Sequence, residues 1–271
     1  MPDTLYQPQG DLWLPTEATI GPWSQESQHG GPPSMLMARA AEAVDSEQPM
    51  RVVRFSVELL RPVPIRPLRV KARVVRPGRR VDRVEAVMYD GELEVARGLT
   101  LRIRTLPVPA PEPQAEPAPP FSQQPVDFGE SGVGGWAAFE AFNAARTRSY
   151  GALGIDLRLA GGSVSEPGPA TIWGRLRLPV VPGEEPSPLM RVAAVADFGN
   201  GFAWVVDPSR YVFVNPELTI HLFRDPVGDW VCLDAVTRWG SDGTGVAEGK
   251  LFDRQGRIGT AQQSLILEPR S

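Results

Sequence analysis

FSVELLRPVP at residues 55–64 and LTIHLFRDPV at residues 218–227 are nearly the same strand written twice. Phe55, Val57 and Leu59 alternate with polar residues in the first copy, as Leu218, Ile220 and Leu222 do in the second, and each copy then meets an arginine and a proline. Alternation of this kind marks a half-buried strand. The offset between the copies is 163 residues, and it carries further: Met88-Tyr89-Asp90 falls on Leu251-Phe252-Asp253. VARGLTLRI from Val95 matches TAQQSLIL from Thr260 at an offset of 165, the difference being absorbed by the longer turn at Arg254-Gln255-Gly256. Three matched segments in one order identify a tandem duplication.

Outward from these strands, each half repeats one plan. Gly30-Gly31-Pro32-Pro33 precedes an apolar, alanine-rich segment, Ser34 to Val44, ended by Asp45 and Ser46. Proline suits a first helical turn, where its missing N–H has no partner to lose. A helix so apolar on most sides is buried. RVVRFSVELLRPV, LRVKARVVRPG, RVDRVEAVMYDGE and LEVARGLTLRIR follow as an antiparallel meander with turns at Pro-Gly and Asp-Gly. The second half has PSPLMRVAAVADFGNG as its proline-led helix and ends in the strands YVFVNPELTIHLFRD, WVCLDAVTRW, GVAEGKLFDRQG and GTAQQSLILEP. SGVGGWAAFEAFNAARTR (131–148) reads as loosely helical. Eight prolines between residues 107 and 125 mark a linker or surface crossover in extended form. The domain plan is therefore 1–106, a proline-rich linker at 107–127, and 128–271, an α+β architecture in which the second copy covers the apolar surface a single copy leaves bare.

The chain has 271 residues, a net charge of −4 and one cysteine, Cys232. This balance gives no basic footprint for nucleic acid or an anionic membrane. A single cysteine excludes an intrachain disulfide and most zinc sites, and its apolar setting, DWVCLDAV, reads as core. No signal pattern and no run of membrane-spanning length is present, so the expected location is cytoplasmic. Neither a metal nor a cofactor motif occurs, and neither GxSxG nor a P-loop is found.

HGGPPSMLMARAAEA, PLMRVAAVADFGNGF, NPELTIHLFR and GTAQQSLIL together resemble the double hotdog proteins of the acyl-CoA thioesterase II (TesB-like) type. The resemblance implies a tandem hotdog, two antiparallel sheets each wrapped around a central apolar helix. It implies hydrolysis of acyl-CoA or another acyl thioester without a cofactor, and a homodimer on family grounds. The family's catalytic Asp falls on Asp197 and its Gln on Gln263. Its hydroxyl-bearing residue is replaced by Asn215, with Thr219 further along the strand. Asn can orient a water or polarise a carbonyl as a hydroxyl does.

Each residue also has a structural reading. Asp197 before Gly199-Asn200-Gly201 can simply end a helix, although an Asp at a helix C-terminus is unfavourable by up to about 1 kcal/mol. Asn215-Pro216 is a turn signal. Gln263 shares a strand face with Ala261 and Leu265, so it points inward and needs partners. His29, Gly30 and Gly31 stand at a helix start where a carbonyl or anion is held, and Arg79 and Arg80 are the expected phosphate contacts, or else a solvated turn. A same-fold rival, an enoyl-CoA hydratase with the segment D-x-N-P-aliphatic-H, is opposed by Phe213 and Leu218 at the Asp and His positions. A rival of another class is a non-catalytic acyl-CoA or acyl-chain binding protein.

Overall fold

The two matched strands pair with each other. In the computed structural model, which describes residues 2–109, 116–126 and 148–270, β3 (Met50–Leu59) runs antiparallel to β10 (Glu217–Leu222). Thr219 lies opposite Ser56, the residue 163 positions before it, while Ile220 faces Phe55 and Leu218 faces Val57. The internal two-fold axis therefore passes through the Ser56–Thr219 pair, where the two side-chain oxygens are 3.3 Å apart. Repetition of the strand serves self-complementarity, as in an isologous dimer interface.

One consequence corrects the expectation of two separate sheets. In the first half lie β4 (Arg69–Arg76), β5 (Val81–Asp90) and β6 (Leu93–Arg104). In the second lie β7 (Ile155–Gly161), β8 (Ala170–Leu176), β9 (Tyr211–Val214), β11 (Val231–Trp239), β12 (Thr244–Asp253) and β13 (Gly256–Pro269). Among the described residues they form one continuous sheet of 11 strands in the order β4-β5-β6-β3-β10-β13-β12-β11-β8-β7, with β9 on β13. A small hairpin, β1 (Tyr6–Gln9) and β2 (Leu12–Pro15), precedes them.

Helix α1 (Gly31–Glu42) lies against β4, β5 and β6, and α2 (Pro188–Ala196) against β8, β10, β11 and β12. Both begin with proline in the first turn, and Ser187 Oγ caps α2 by accepting the Met190 N–H at 3.1 Å. The two helices also pack on one another, which their buried alanines (Ala38 and Ala41; Ala193, Ala194 and Ala196) permit. No helix among the described residues is long and apolar enough to cross a membrane.

The described part of the proline-rich segment, 116–126, crosses the outer face of the second half. The alternation along β8, β11 and β12 turns Trp173, Cys232 and Phe252 away from α2, and Phe121 packs over them. Trp173 Nε1 donates to the Pro120 carbonyl at 3.1 Å, and Glu116 accepts from Lys250 and Arg257. Composition shows why this stretch is not helical, but not that it is a cover. The segment read as loosely helical at 131–148 lies outside the described residues apart from Arg148.

Candidate active site

Asp197 is the residue that ends α2, and it is turned into the N-terminus of α1. It is 6% exposed. Its Oδ1 accepts from Asn215 Nδ2 at 2.8 Å and from Gln263 Nε2 at 3.1 Å. Its Oδ2 lies 3.1 Å from His29 Nδ1, and the Gly30 amide also donates to the carboxylate. Gln263 is held in turn, its Oε1 accepting the Asn200 N–H at 3.0 Å. Burial pushes the Asp197 carboxyl above its ordinary value, against the opposing pull of His29, Asn215, Gln263 and the Gly30 amide. Burial likewise lowers His29, outweighing the attraction of Asp197. Such opposed displacements in touching groups characterise acid–base sites.

The tight approach explains Gly30. A Cβ there would stand 2.6 Å from Asp197 Oδ2. Gly30→Ala is expected to displace the carboxylate and lower turnover by about 10²-fold, since small misplacements at a reacting centre carry costs of that order. Thermal melting beside steady-state kinetics checks this, with the melting temperature falling far less than the rate.

This polar centre faces a cavity of about 750 Å³ between the start of α1, the end of α2 and the segment after β3. Trp23, Phe198, Phe202 and Ile266 give it apolar wall, and Arg61 and Arg66 are part of the lining. The His29 ring is tilted on Phe198 at 4.5 Å and on Tyr150 at 5.1 Å, which fixes its orientation. The Tyr150 hydroxyl donates to the Ala194 carbonyl at 2.9 Å, and burial, followed by Asp197, keeps it protonated.

Two family models match the chain: the acyl-CoA thioesterase N-terminal domain over residues 19–103 and the acyl-CoA thioesterase C-terminal domain over residues 104–267. The chain belongs to the acyl-CoA thioesterase family. Among solved structures, it is similar to a hot dog fold protein of unknown function from Alicyclobacillus acidocaldarius, at 15% identity and a TM-score of 0.71, covering 99% of this chain and 97% of the other. It is also similar to the acyl-CoA thioesterase II TesB2 from Mycobacterium marinum, at 15% identity and a TM-score of 0.65, over 99% and 96% of the two chains. The tesB protein of Mycobacterium avium subs paratuberculosis matches at 15% identity and a TM-score of 0.62, over 89% and 88%. These likenesses establish the hotdog fold. No curated protein matches the sequence.

Within this acyl-CoA thioesterase family member, the structure brings Asp197, Gln263 and Asn215 together, and adds His29 as a direct neighbour of Asp197. It does not bring Thr219 there. Leu218 and Ile220 point to the buried face, so Thr219 points to the other, where its hydroxyl meets Ser56 and Glu217. Gly30 and Gly31 lie at the site, but their amides point to Asp197 and His29 Nδ1 instead of into the cavity. Arg79 and Arg80 lie in the exposed turn between β4 and β5 and do not line the cavity. The signal missed was Arg61, the counterpart of Arg224 at the offset of 163. Arg224 is bidentate to Asp253, at 2.5 and 2.7 Å, whereas the matching Asp90 pairs with Arg66 at 3.3 Å. Arg61 thus has no carboxylate partner among the described residues.

The internal axis generates a second cleft. At an offset of 155, Met35, Ala38 and Ala41 fall on Met190, Ala193 and Ala196, and Glu42 falls on Asp197. Glu42 accepts from Ser187 Oγ at the start of α2, at 2.6 Å, as Asp197 meets the start of α1. The cleft beside it, about 230 Å³, includes Val52, which corresponds to Asn215. The strand register keeps the offset of 163 through β6 and β13, in place of the 165 read from the sequence, so Thr100 corresponds to Gln263. Thr100 is buried and its hydroxyl donates to the Val84 carbonyl at 3.1 Å. The copy keeps an acid and has lost both amides.

Proposed function

We propose that this chain is an acyl-CoA thioesterase that cleaves its substrate with a water molecule held at the Asp197 cluster. The observation that carries this reading is a buried carboxylate with its amide and imidazole neighbours at the wall of a cavity that is part aromatic and part cationic. Hydrolysis of a thioester needs an oriented water, a group to take its proton and polar groups for the charge that develops on the carbonyl oxygen. Asp197, Asn215, Gln263 and His29 are the polar side chains gathered there. The acyl group lies along Trp23, Phe198 and Phe202, and the nucleotide phosphates meet Arg61 and Arg66. In this reading the two matched halves are two hotdog units fused through β3 and β10, with the reaction kept in one of the two clefts.

The test is thiol release from acyl-CoAs of graded chain length, comparing the native chain with Asp197→Ala. Release abolished by the substitution, with the fold intact by circular dichroism, supports the reading. Measurable acyl-CoA binding with no release from any member of the series replaces it with the acyl-binding alternative. Arg61→Ala is expected to raise KM for acyl-CoA about tenfold, the order of one charge-assisted hydrogen bond, with kcat unchanged. The same variant should not alter KM for an acyl-pantetheine, which lacks the nucleotide. An equal effect on both substrates places Arg61 elsewhere than on the phosphates.

A further inference from the structure

We infer that the atom that takes the proton from water is Nε2 of His29, with Asp197 as its positioning residue: an Asp197–His29 dyad spanning the ends of the two helices. This rests on the hydrolase reading above and assigns a role that the Asp–Gln pattern of the sequence does not contain.

The first observation is saturation of Asp197. A carboxylate offers about four lone-pair sites. Oδ1 already accepts from Asn215 and Gln263, Oδ2 meets His29 Nδ1, and the Gly30 amide supplies a further donor to the carboxylate. Its side chain is 5% exposed, against 12% for His29, so a water molecule finds no free acceptor on it. The second observation is the state of His29. Nδ1 carries either a hydrogen or a lone pair. The Gly31 N–H approaches it at 3.1 Å and Asp197 Oδ2 approaches it at the same distance. With a lone pair on Nδ1, two acceptors would face each other beside an ionised Asp197. With a hydrogen there, the Gly31 N–H gives up its bond to Nδ1 and faces a second donor, but the Asp197 contact becomes a charge-assisted bond, which outweighs the neutral one. That choice leaves the lone pair on Nε2. Among the described residues no hydrogen bond reaches Nε2, and His29 lines the cavity. Phe198 and Tyr150 hold the ring on both sides.

The step balances without a further reactant. Water attacks the thioester carbonyl, its O–H bond breaks and the proton goes to Nε2. The tetrahedral intermediate collapses, the C–S bond breaks, and the imidazolium returns the proton to the departing thiolate. Asp197 stays ionised and stabilises the imidazolium while it exists. The titratable groups against the His29 ring are Asp197 and Tyr150; Glu26, Arg61 and Arg66 share the cavity lining. Since burial raises Asp197 and lowers His29, the rate should rise with pH along an acid limb that begins above the ordinary carboxylate value, as the pair loses its proton.

The experiment is long-range ¹⁵N–¹H correlation on the native chain, which contains two histidines, with His221→Gln to assign them. The expected result is a protonated Nδ1 and a bare Nε2 on His29, reversed in Asp197→Asn. A protonated Nε2 in the native chain at neutral pH overturns the dyad. Kinetics give the second arm: His29→Gln should lower kcat by about 10³-fold with KM within a few-fold, and the residual rate should lose its acid limb. A His29→Gln variant that keeps the native rate and pH profile also overturns it. A native chain that releases no thiol while showing the expected tautomer sinks the hydrolase reading and leaves the dyad standing as geometry.

Discussion

Asp197→Asn should lower kcat by about 10³-fold or more while KM stays close to its native value. The size follows from what an amide does in that position. Four donors converge on Asp197: Asn215, Gln263, the Gly30 amide and His29. An amide has one oxygen, so it can serve Asn215 and Gln263 or the other pair, not both. If its oxygen faces Asn215 and Gln263, its NH2 group faces Nδ1, and His29 must move its hydrogen to Nε2. The proton acceptor is then blocked, and the charge that stabilises an imidazolium is gone. General-base catalysis alone contributes about 10² to 10⁴, and the lost charge adds to it. One orphaned amide, that of Gly30, costs about 1–3 kcal/mol of stability, so the variant should still fold. A loss confined to KM would mean that Asp197 binds substrate and takes no part in the chemical step.

The largest stability effect is expected away from the site, at Arg102. Its guanidinium is bidentate to Asp82, at 2.8 and 2.7 Å, and also donates to the Val44 carbonyl past the end of α1, at 2.6 Å. Both side chains are 6% exposed. Arg102→Leu removes the cation and leaves Asp82 buried without compensation, a change worth about 3–5 kcal/mol. For a chain of this size that is a fall in Tm of about 10 °C. The double variant Asp82→Leu/Arg102→Leu should regain most of the loss, because replacing a buried pair by apolar groups is often neutral. Chemical denaturation of the three variants measures this directly. A loss under about 1 kcal/mol in the single variant would show that water reaches Asp82.

How far the sequence reaches can be followed residue by residue. The strand repeat is legible because alternation reports burial of one face, and the offset it defines is the register in which β3 and β10 pair. Asp197 and Gln263 are legible for the same reason: each is polar on an otherwise apolar face and must find partners. Thr219 was misplaced although the signal existed, since alternation with Leu218 and Ile220 sends it to the opposite face. His29 was seen at a helix start, but its meeting with Asp197 depends on two helices packing end against end, which no local period encodes. Arg61 became visible only when the duplicated Arg–Asp pairs were compared in space. One copy keeps its pair, and in the other Asp90 turns to Arg66.

The pairing of β3 with β10 has a consequence for how the molecule can change. Where two identical subunits meet across a two-fold axis, every substitution appears twice, and dilution can part them. Here the two sides of the axis belong to one polypeptide, so their union does not weaken with concentration, and each side varies alone. That freedom let Val52 and Thr100 stand where the other half has Asn215 and Gln263, without damage to the surviving centre. A symmetric ancestor with the same substitutions would have silenced both of its clefts at once.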